Sequence, residues 1–456
     1  MSMDLKDLSD EEVREMLAAY AADPLSADEV RLTMELDSRG RMKQSPANRL
    51  RALRFDPVLR GRLRYNEFSG RPELPRDMPA PWTRQRPGDG LTDTDLAVIV
   101  NHLYDEYGLL YTNPQLKTAV DAVCEEQRFH PVRELLESLQ WDGVPRVASA
   151  LHHFLGAELT PYNAAALRLH MLAAVRRVYE PGAKYDCMLC LSGRQGIGKS
   201  TFFRFLAMKD AWFLDDVRRL DDTDLLIRMQ GRWIVEAGEM GAVYNSRSME
   251  DLKAFISRQS DSFRRPYAVN AEDRPRQFVL CGTSNSSQII PFDRSGARRF
   301  LPVEVGVTEP EVHILEDEAA SRAYFARMWA EIMAEYRAGN TSLVMPRELA
   351  ETVSEMQSSM MPEDTELGVI QSWLERENKK QVCTKELWHE CLEHPRQEEL
   401  PKWKARELCE ILEQLGWRRE DKLKRIGVYG PQRSWLAPKP EQFSLLTEDD
   451  PNCPFT

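Results

Sequence analysis

The sequence predicts an α/β protein in which a phosphate-binding loop joins a buried strand to a helix. A helical region precedes this core and a small helical unit with a hairpin follows it. Three observations predict the core. The apolar run Cys187–Leu191 is typical of a buried strand. A glycine-rich turn follows it, and Phe202, Phe205 and Leu206 then recur at helical spacing.

The glycine-rich turn has the pattern G-x-x-x-x-G-K-[ST], and its strand–loop–helix context is the one that this pattern requires. Its glycines let backbone N–H groups point at a phosphate, and the start of the next helix adds partial positive charge. Lys199 can reach the β- and γ-phosphates of ATP, and the Ser200 hydroxyl can coordinate Mg²⁺. The predicted nucleotide-binding residues are Gly193, Arg194, Gln195, Gly196, Ile197, Gly198, Lys199, Ser200 and Thr201.

Composition is typical of a globular, non-membrane protein of several domains: 456 residues, 42% hydrophobic and 29% charged. We find no signal peptide and no apolar run long enough to span a bilayer, so we expect no membrane partner. The eight cysteines lack a framework spacing, which favours a reducing cytoplasm. A net charge of −12 argues against coating nucleic acid over the whole surface, but it allows a local basic groove.

Changes in pattern divide the chain into five parts. An irregular stretch rich in Pro, Gly and Arg, Ser69–Gly90, closes the first of them. Asp93 and Asp95 come directly before a helical pattern, where they are expected to cap a helix and not to bind a metal. The parts are an arginine-rich helical region (1–90), a collar-like helical region (91–165), the phosphate-loop domain (166–345), a helical linker with a winged-helix-like domain (346–440) and an acidic tail (441–456).

A second buried strand, Trp233–Val235, ends in acidic residues some forty positions after the phosphate loop. An ATPase of this type needs one carboxylate on the Mg²⁺ side and another to polarise the attacking water. We expect Glu236 to serve the metal and Glu239 to activate water. The alternative is a strand that simply ends in two solvated acids.

A third apolar strand ends at Asn285, whose amide can hydrogen-bond the γ-phosphate or the attacking water. Arg298 and Arg299 come just before a further strand. Either could act as an arginine finger on the nucleotide of a neighbouring subunit, where the transition state gains negative charge. The alternative is that one or both pair with Glu304 or another nearby acid.

The C-terminal part has the outline of a winged helix, with three helical patterns, a C-capping Gly416 and a hairpin around Tyr429–Pro431. Basic residues exceed acidic ones between Trp417 and Arg433, which predicts contact with nucleic-acid phosphates. A solvated hairpin is the alternative. The predicted DNA-contacting residues here are Arg418, Arg419, Lys422, Lys424 and Arg425.

Six segments recur in a familiar order, namely WDGVPR, GRQGIGKST, WIVEAGE, RRPY, TSN and GARRFLPV. Together they resemble the virulence-associated E family, ATPases of phages and mobile elements that are similar to superfamily 3 helicases. The resemblance covers Phe129–Val305 well and the C-terminal part loosely. Two departures stand out: the acids are spaced E-A-G-E instead of adjacent, and no primase-like carboxylate constellation precedes the WDG turn.

The resemblance implies an AAA+-like P-loop ATPase core on a helical collar, assembled as a homo-oligomeric ring hexamer in a bacterial host cell. By similarity, Glu236 and Glu239 take the acidic roles, Asn285 the sensor role, and Arg298 or Arg299 the finger. Arg264 and Arg265 fall where such helicases carry a DNA-contacting hairpin.

The function expected from these features is that of an ATP-dependent DNA helicase or translocase in the replication of a phage or mobile element. Its expected partners are single-stranded or forked DNA and other replication proteins. The alternative is an ATP-controlled DNA-binding initiator or regulator without processive unwinding. A small-molecule kinase explains neither the winged-helix-like part nor the order of sensor and finger.

Overall fold

The structure is a computed structural model that describes residues 26–82, 89–215, 217, 223–238, 246–264, 270–290, 297–362 and 364–438. The described residues form two compact units, divided between Met360 and Met361. Among the described helices, none has both the length and the apolar content needed to cross a membrane.

The N-terminal part of the first unit packs four helices against a small sheet of order β2-β1-β3. The segment predicted to be an irregular linker contributes β2, which pairs antiparallel with β1. Thr92 and Asp95 form a reciprocal capping box, so this acidic residue caps a helix as predicted. The elements are α1 (Ala27–Leu32), α2 (Pro46–Phe55), β1 (Arg64–Asn66), β2 (Arg71–Glu73), α3 (Asp93–Tyr107), α4 (Asn113–Glu126) and β3 (Arg128–Phe129).

The rest of the first unit is built on a five-stranded sheet of spatial order β10-β4-β9-β6-β5. Eight of the described helices precede, separate or follow these strands in the sequence. They are α5 (Pro131–Ser138), α6 (Ala150–Leu155), α7 (Pro161–Tyr179), α8 (Lys199–Leu206), α9 (Thr223–Arg228), α10 (Ser246–Ser257), α11 (Glu318–Arg337) and α12 (Ala350–Ser359). The strands are β4 (Met188–Ser192), β5 (Phe213–Leu214), β6 (Ile234–Ala237), β9 (Val279–Ser284) and β10 (Phe300–Glu304).

Every neighbouring pair in this sheet is parallel, which confirms the predicted α/β class. The carboxyl ends of all five strands therefore meet at one edge. β9 is inserted between β4 and β6, although it follows both in the sequence. The strand that precedes the phosphate loop and the strand that carries Glu236 thus flank the strand that ends next to Asn285.

Trp233 is the residue immediately before β6, and its packing fixes the position of this strand. Its ring stacks on that of Trp329 with the centroids 4.2 Å apart, and both side chains are fully buried. The indole N–H of Trp233 donates to the carbonyl oxygen of Ala174, and that of Trp329 donates to the carbonyl oxygen of Leu206. Large buried aromatic groups with satisfied N–H donors contribute strongly to packing. This cluster ties β6 to α7, α8 and α11.

A hairpin of β7 (Ser260–Phe263) and β8 (Glu272–Pro275) precedes β9. A buried ion pair holds its base, where the Arg276 guanidinium donates two 2.7 Å hydrogen bonds to the two carboxylate oxygens of Asp261. Arg276 also donates to the carbonyl oxygen of Phe255, and its guanidinium lies 4.2 Å from the centroid of that ring. Burial lowers the pKa of Arg276, and its pairing with Asp261 opposes this shift.

The second unit contains the three helical segments and the hairpin predicted for the C-terminal part. α14 continues as a π-helical turn, Leu387–Cys391, and the sheet has the order β11-β13-β12. The hairpin strand begins at Arg418, five residues before the predicted Leu423, so more of the basic segment is extended than expected. The elements are α13 (Thr365–Arg376), β11 (Gln381–Val382), α14 (Thr384–Glu386), α15 (Lys402–Gln414), β12 (Arg418–Arg425) and β13 (Pro431–Leu436).

Breaking the buried pair at the base of the β7–β8 hairpin should strongly destabilise the first unit. We expect Asp261→Ala to lower its free energy of unfolding by about 3–5 kcal/mol, because Arg276 would keep its charge in the interior without a partner. The control, Glu272→Ala, removes an exposed ion pair with Arg274 on the same hairpin and should cost about 1 kcal/mol or less. Urea denaturation followed by tryptophan fluorescence measures both, and equal losses would contradict the prediction.

Candidate nucleotide-binding site

The phosphate loop occupies residues 193–198, between the end of β4 and the start of α8. The Gly193 N–H donates to the carbonyl oxygen of Ser284 at the end of β9. A Cβ atom at Gly193 would lie 2.4 Å from the carbonyl oxygen of Val305, so only glycine allows this close approach of the two chain segments. Gly198 caps α8 with a φ of 103°, a conformation that other residues rarely adopt.

Lys199 has 7% of its surface exposed, and its ammonium lies within the loop. It donates hydrogen bonds to the carbonyl oxygens of Gly193 and Arg194, at 2.6 and 2.8 Å. A third bond, of 3.1 Å, reaches the side-chain oxygen of Asn285. Burial lowers the pKa of Lys199, and the nearby Glu236 acts in the opposite direction. The structure therefore brings the predicted lysine and the predicted sensor amide into direct contact.

Glu236 lies on β6 with 2% of its surface exposed. Its Oε1 accepts hydrogen bonds from the hydroxyl groups of Ser200, at 2.7 Å, and Thr283, at 2.5 Å. Burial raises the pKa of Glu236, and the two hydroxyl donors act against that shift. Asp215 raises the pKa further through its charge. The other carboxylate oxygen, Oε2, is buried and has no hydrogen-bond partner among the described residues.

These oxygen atoms suit a hard divalent cation. Mg²⁺ in proteins is bound by one or two carboxylates, retained water molecules and substrate phosphates, and not by a cage of protein ligands. Within the described part of the chain, no group of three or more His, Cys, Asp or Glu residues could form such a cage. The unpartnered Oε2 of Glu236 and the Ser200 hydroxyl beside it fit the cation that accompanies a nucleotide.

A cavity of about 690 Å³ opens over these groups at the carboxyl edge of the sheet. Lys199, Ser200, Glu236 and Asn285 all line it, so four of the predicted site residues converge. Gln195, Gly196, Gly198 and Thr201 of the predicted loop line it as well. Gly193 and Arg194 contribute the backbone oxygens that hold Lys199, and the Ile197 side chain packs close to Gly306.

Sequence reasoning did not identify several residues of this cavity, and two of them bear directly on Glu236. Thr283, two residues before the sensor amide, holds Glu236 through its hydroxyl. Asp215 follows β5 and also lines the cavity. The signals were present in the sequence, as a hydroxyl in the TSN segment and an acid directly after an apolar pair. Their relevance depends on the order of the strands, which no local pattern shows.

The two arginines proposed as fingers lie at the other edge of the sheet. The carbonyl oxygen of Arg299 accepts from the N–H of Met188, the first residue of β4, and the Arg299 Nε donates to the Ser257 hydroxyl. Arg298 is exposed. Glu304 lies at the far end of β10, and neither arginine pairs with a carboxylate of any described residue. Neither lines the cavity described above.

The remaining predicted residues fall in three places. Arg264 is exposed and follows directly after β7, on the hairpin that the resemblance predicted. Glu239 and Arg265 lie outside the described residues. In the second unit the predicted DNA contacts all lie on β12, and all are exposed: Arg418, Arg419, Lys422, Lys424 and Arg425. Lys424 pairs with Glu420 at 2.6 Å on the same strand.

Residues 136–362 match the virulence-associated protein E-like domain. The chain carries a virulence-associated protein E-like domain. The predicted family is thereby confirmed, and this domain includes the whole parallel sheet and every residue of the cavity. The strands of the small N-terminal sheet and the basic strand β12 lie outside it.

No curated protein is significantly similar to the chain. Among solved structures, the virulence-associated protein E-like chain is similar to the apo structure of the NrS-1 C-terminal region, with 14% identity and a TM-score of 0.45, covering 82% of this chain and 96% of that one. An A-form apo structure of the same region has 12% identity and a TM-score of 0.46 over the same shares of the two chains.

Proposed function

We propose that this chain is an ATP-dependent DNA helicase or translocase of the superfamily 3 type, acting in replication of a phage or mobile element. The observation that carries the ATPase part is the convergence of Lys199, Ser200, Glu236 and Asn285 on one cavity. This set comes from three neighbouring parallel strands and the loop and helix that follow one of them. The family resemblance supports the DNA and replication parts of the proposal.

In the proposed reaction, the loop N–H groups and Lys199 bind the nucleotide phosphates. The ammonium would exchange its contacts with the Gly193 and Arg194 carbonyl oxygens for phosphate oxygens, which carry full negative charge and bind ammonium more strongly. Asn285 would then be free to orient the γ-phosphate or the attacking water. Lys199 already touches Asn285, so binding of ATP and release of the sensor amide are coupled.

Ser200 and Glu236 would hold the Mg²⁺ that enters with ATP, and this cation supplies positive charge to the β- and γ-phosphates. Thr283 and Ser200 both donate to Oε1 of Glu236, which leaves Oε2 without a partner among the described residues. Glu239 would activate the attacking water, as the spacing of the acids suggests. Placing these charges in advance lowers the barrier, because little reorganisation is needed in the transition state.

The location of Arg298 and Arg299 favours action on a neighbouring subunit. A strand of five residues, roughly 15 Å long, separates them from the nucleotide edge of their own sheet. They could reach a nucleotide only across an interface in which unlike faces of two subunits meet. Repeating such a contact with rotational closure gives a ring, which agrees with the hexamer expected for the family.

DNA would contact the chain at two places, the β7–β8 segment that contains the predicted Arg264 and Arg265 and the basic strand β12 of the second unit. The side chains of β12 do not alternate between buried and exposed positions, and nearly every residue of the strand is exposed. This pattern suits binding along a phosphate backbone more than packing in a core. An ATP-controlled initiator or regulator is the competing function. Stimulation of ATP hydrolysis by single-stranded DNA and opening of a forked duplex separate the two, since an initiator needs neither.

The first test of the proposal is Lys199→Ala. We expect this change to abolish ATP hydrolysis and to weaken ATP binding by about 1.5–3 kcal/mol, the contribution of a charge-assisted hydrogen bond. Lys209→Ala removes the same side chain from an exposed position three residues after α8 and should leave both properties unchanged. ATP turnover and fluorescent-nucleotide titration are the measurements. Hydrolysis at the wild-type rate in the Lys199 variant would refute the ATPase proposal.

The arginine finger can be tested by mixing two inactive proteins. Arg298→Ala and Arg299→Ala are made separately, and the true finger variant should bind ATP normally but hydrolyse it roughly 10³–10⁵ times more slowly. Mixed with the Lys199→Ala protein, it can combine its own intact phosphate loop with the intact arginine of its neighbour. ATPase activity should therefore return and rise with protein concentration. Absence of recovery in proteins shown to co-assemble would exclude a finger acting between subunits.

The basic strand β12 predicts a measurable salt dependence. Reversal of Arg418, Arg419 and Lys424 to Glu should weaken DNA binding and lower the slope of log affinity against log salt by about 0.9 for each lost contact with duplex phosphate. The same charge change at Arg376, Lys385 and Arg396, all exposed elsewhere in the second unit, is the control. Equal effects of the two triple variants would show that only net charge matters and that β12 makes no specific contacts.

A further inference from the structure

Asp215 directly follows β5, the strand that neighbours the Glu236 strand β6. In the parallel pairing of β5 and β6, Leu214 is in register with Val235, so the next residues along the two strands are Asp215 and Glu236. Beyond these paired residues the two segments stay close, because the N–H of Val217 donates to the carbonyl oxygen of Glu236 at 3.4 Å. Neighbouring strands lie about 4.8 Å apart, and residues in register extend toward the same face.

Two carboxylates in such positions repel each other. Asp215 is exposed and Glu236 is buried, and both line the same 690 Å³ cavity with Ser200 and Lys199. The Oε2 atom of Glu236 has no hydrogen-bond partner among the described residues. Lys199 does not compensate both acids, since its ammonium donates to two backbone carbonyls and to Asn285. Oε2 therefore lacks a donor among the described residues, and a cation bound in the cavity would compensate the negative charge of both acids.

We propose that Asp215 is the second carboxylate of a divalent-cation site whose first carboxylate is Glu236. This inference rests on the proposed function and refines it. Mg²⁺ commonly uses one or two carboxylates and keeps several of its water molecules. Asp215, with its exposed side chain, would hold a water molecule of the cation, and Glu236, fixed by Ser200 and Thr283, would set the position of the cation itself.

Mn²⁺ replaces Mg²⁺ in the experiment, because free Mn²⁺ can be counted by its electron paramagnetic resonance signal. Binding is measured with a non-hydrolysable ATP analogue and also with the nucleotide-free chain. We expect Asp215→Asn to weaken Mn²⁺ binding roughly 10–100-fold, as loss of an outer carboxylate typically does. Affinity for the analogue in EDTA should stay unchanged. Asp186→Asn removes a carboxylate beside the opposite end of the sheet, before β4, and should change neither value.

A second readout separates a cation site from a structural role. In EDTA without nucleotide, Asp215→Asn should leave Tm unchanged or raise it, because the change removes repulsion from Glu236. A lower Tm, or unchanged Mn²⁺ affinity, would overturn the inference. Slow hydrolysis with unchanged Mn²⁺ affinity would also overturn it, since Asp215 would then act on the attacking water. If the wild-type chain binds no analogue, the proposed function fails, and Mn²⁺ binding to the chain alone decides the role of Asp215.

Discussion

The candidate site depends on the burial of one carboxylate. Glu236 is almost fully enclosed, and an isolated ionised carboxylate in such surroundings would be strongly disfavoured. Two hydroxyl donors offset this cost on one oxygen, one from the start of α8 and one from β9. Each donor belongs to a different element, so the phosphate loop, β6 and β9 must all be correctly placed before Glu236 can be buried. The candidate site therefore forms only when the sheet itself has folded correctly.

The order of the strands explains why these elements meet. β9 follows β4 and β6 in the sequence but lies between them in space, so Asn285 emerges beside the phosphate loop and Thr283 beside Glu236. Trp233 fixes β6 from below the site by stacking on Trp329. The edge of the sheet that carries the chemistry is therefore supported by a core of aromatic residues that makes no contact with the cavity.

Local patterns in the sequence were sufficient for part of this arrangement. The phosphate loop has a fixed spacing of glycines, lysine and serine, and the acid at the end of an apolar strand identified Glu236. Asn285 was found in the same way. Thr283 and Asp215 were not assigned, because their proximity to Glu236 is set by pairing between strands that are 21 and 45 residues apart. The small strand β2 was predicted to be a linker, since Pro72 and Arg71 give no strand pattern without the partner β1. A single sequence does not show which strands pair when they are far apart along the chain.

The β7–β8 hairpin and Asn285 belong to one uninterrupted segment of chain. Between them, Arg276 is bound to Asp261, Gln277 contacts His130 at 2.6 Å, and the carbonyl oxygen of Phe278 accepts from Arg177. Each of these three residues is bound to a different partner, so the connecting segment cannot absorb a movement by changing its own conformation. The connection is therefore stiff, and a displacement of the hairpin is transmitted through the backbone of β9 to the Asn285 amide, which contacts Lys199.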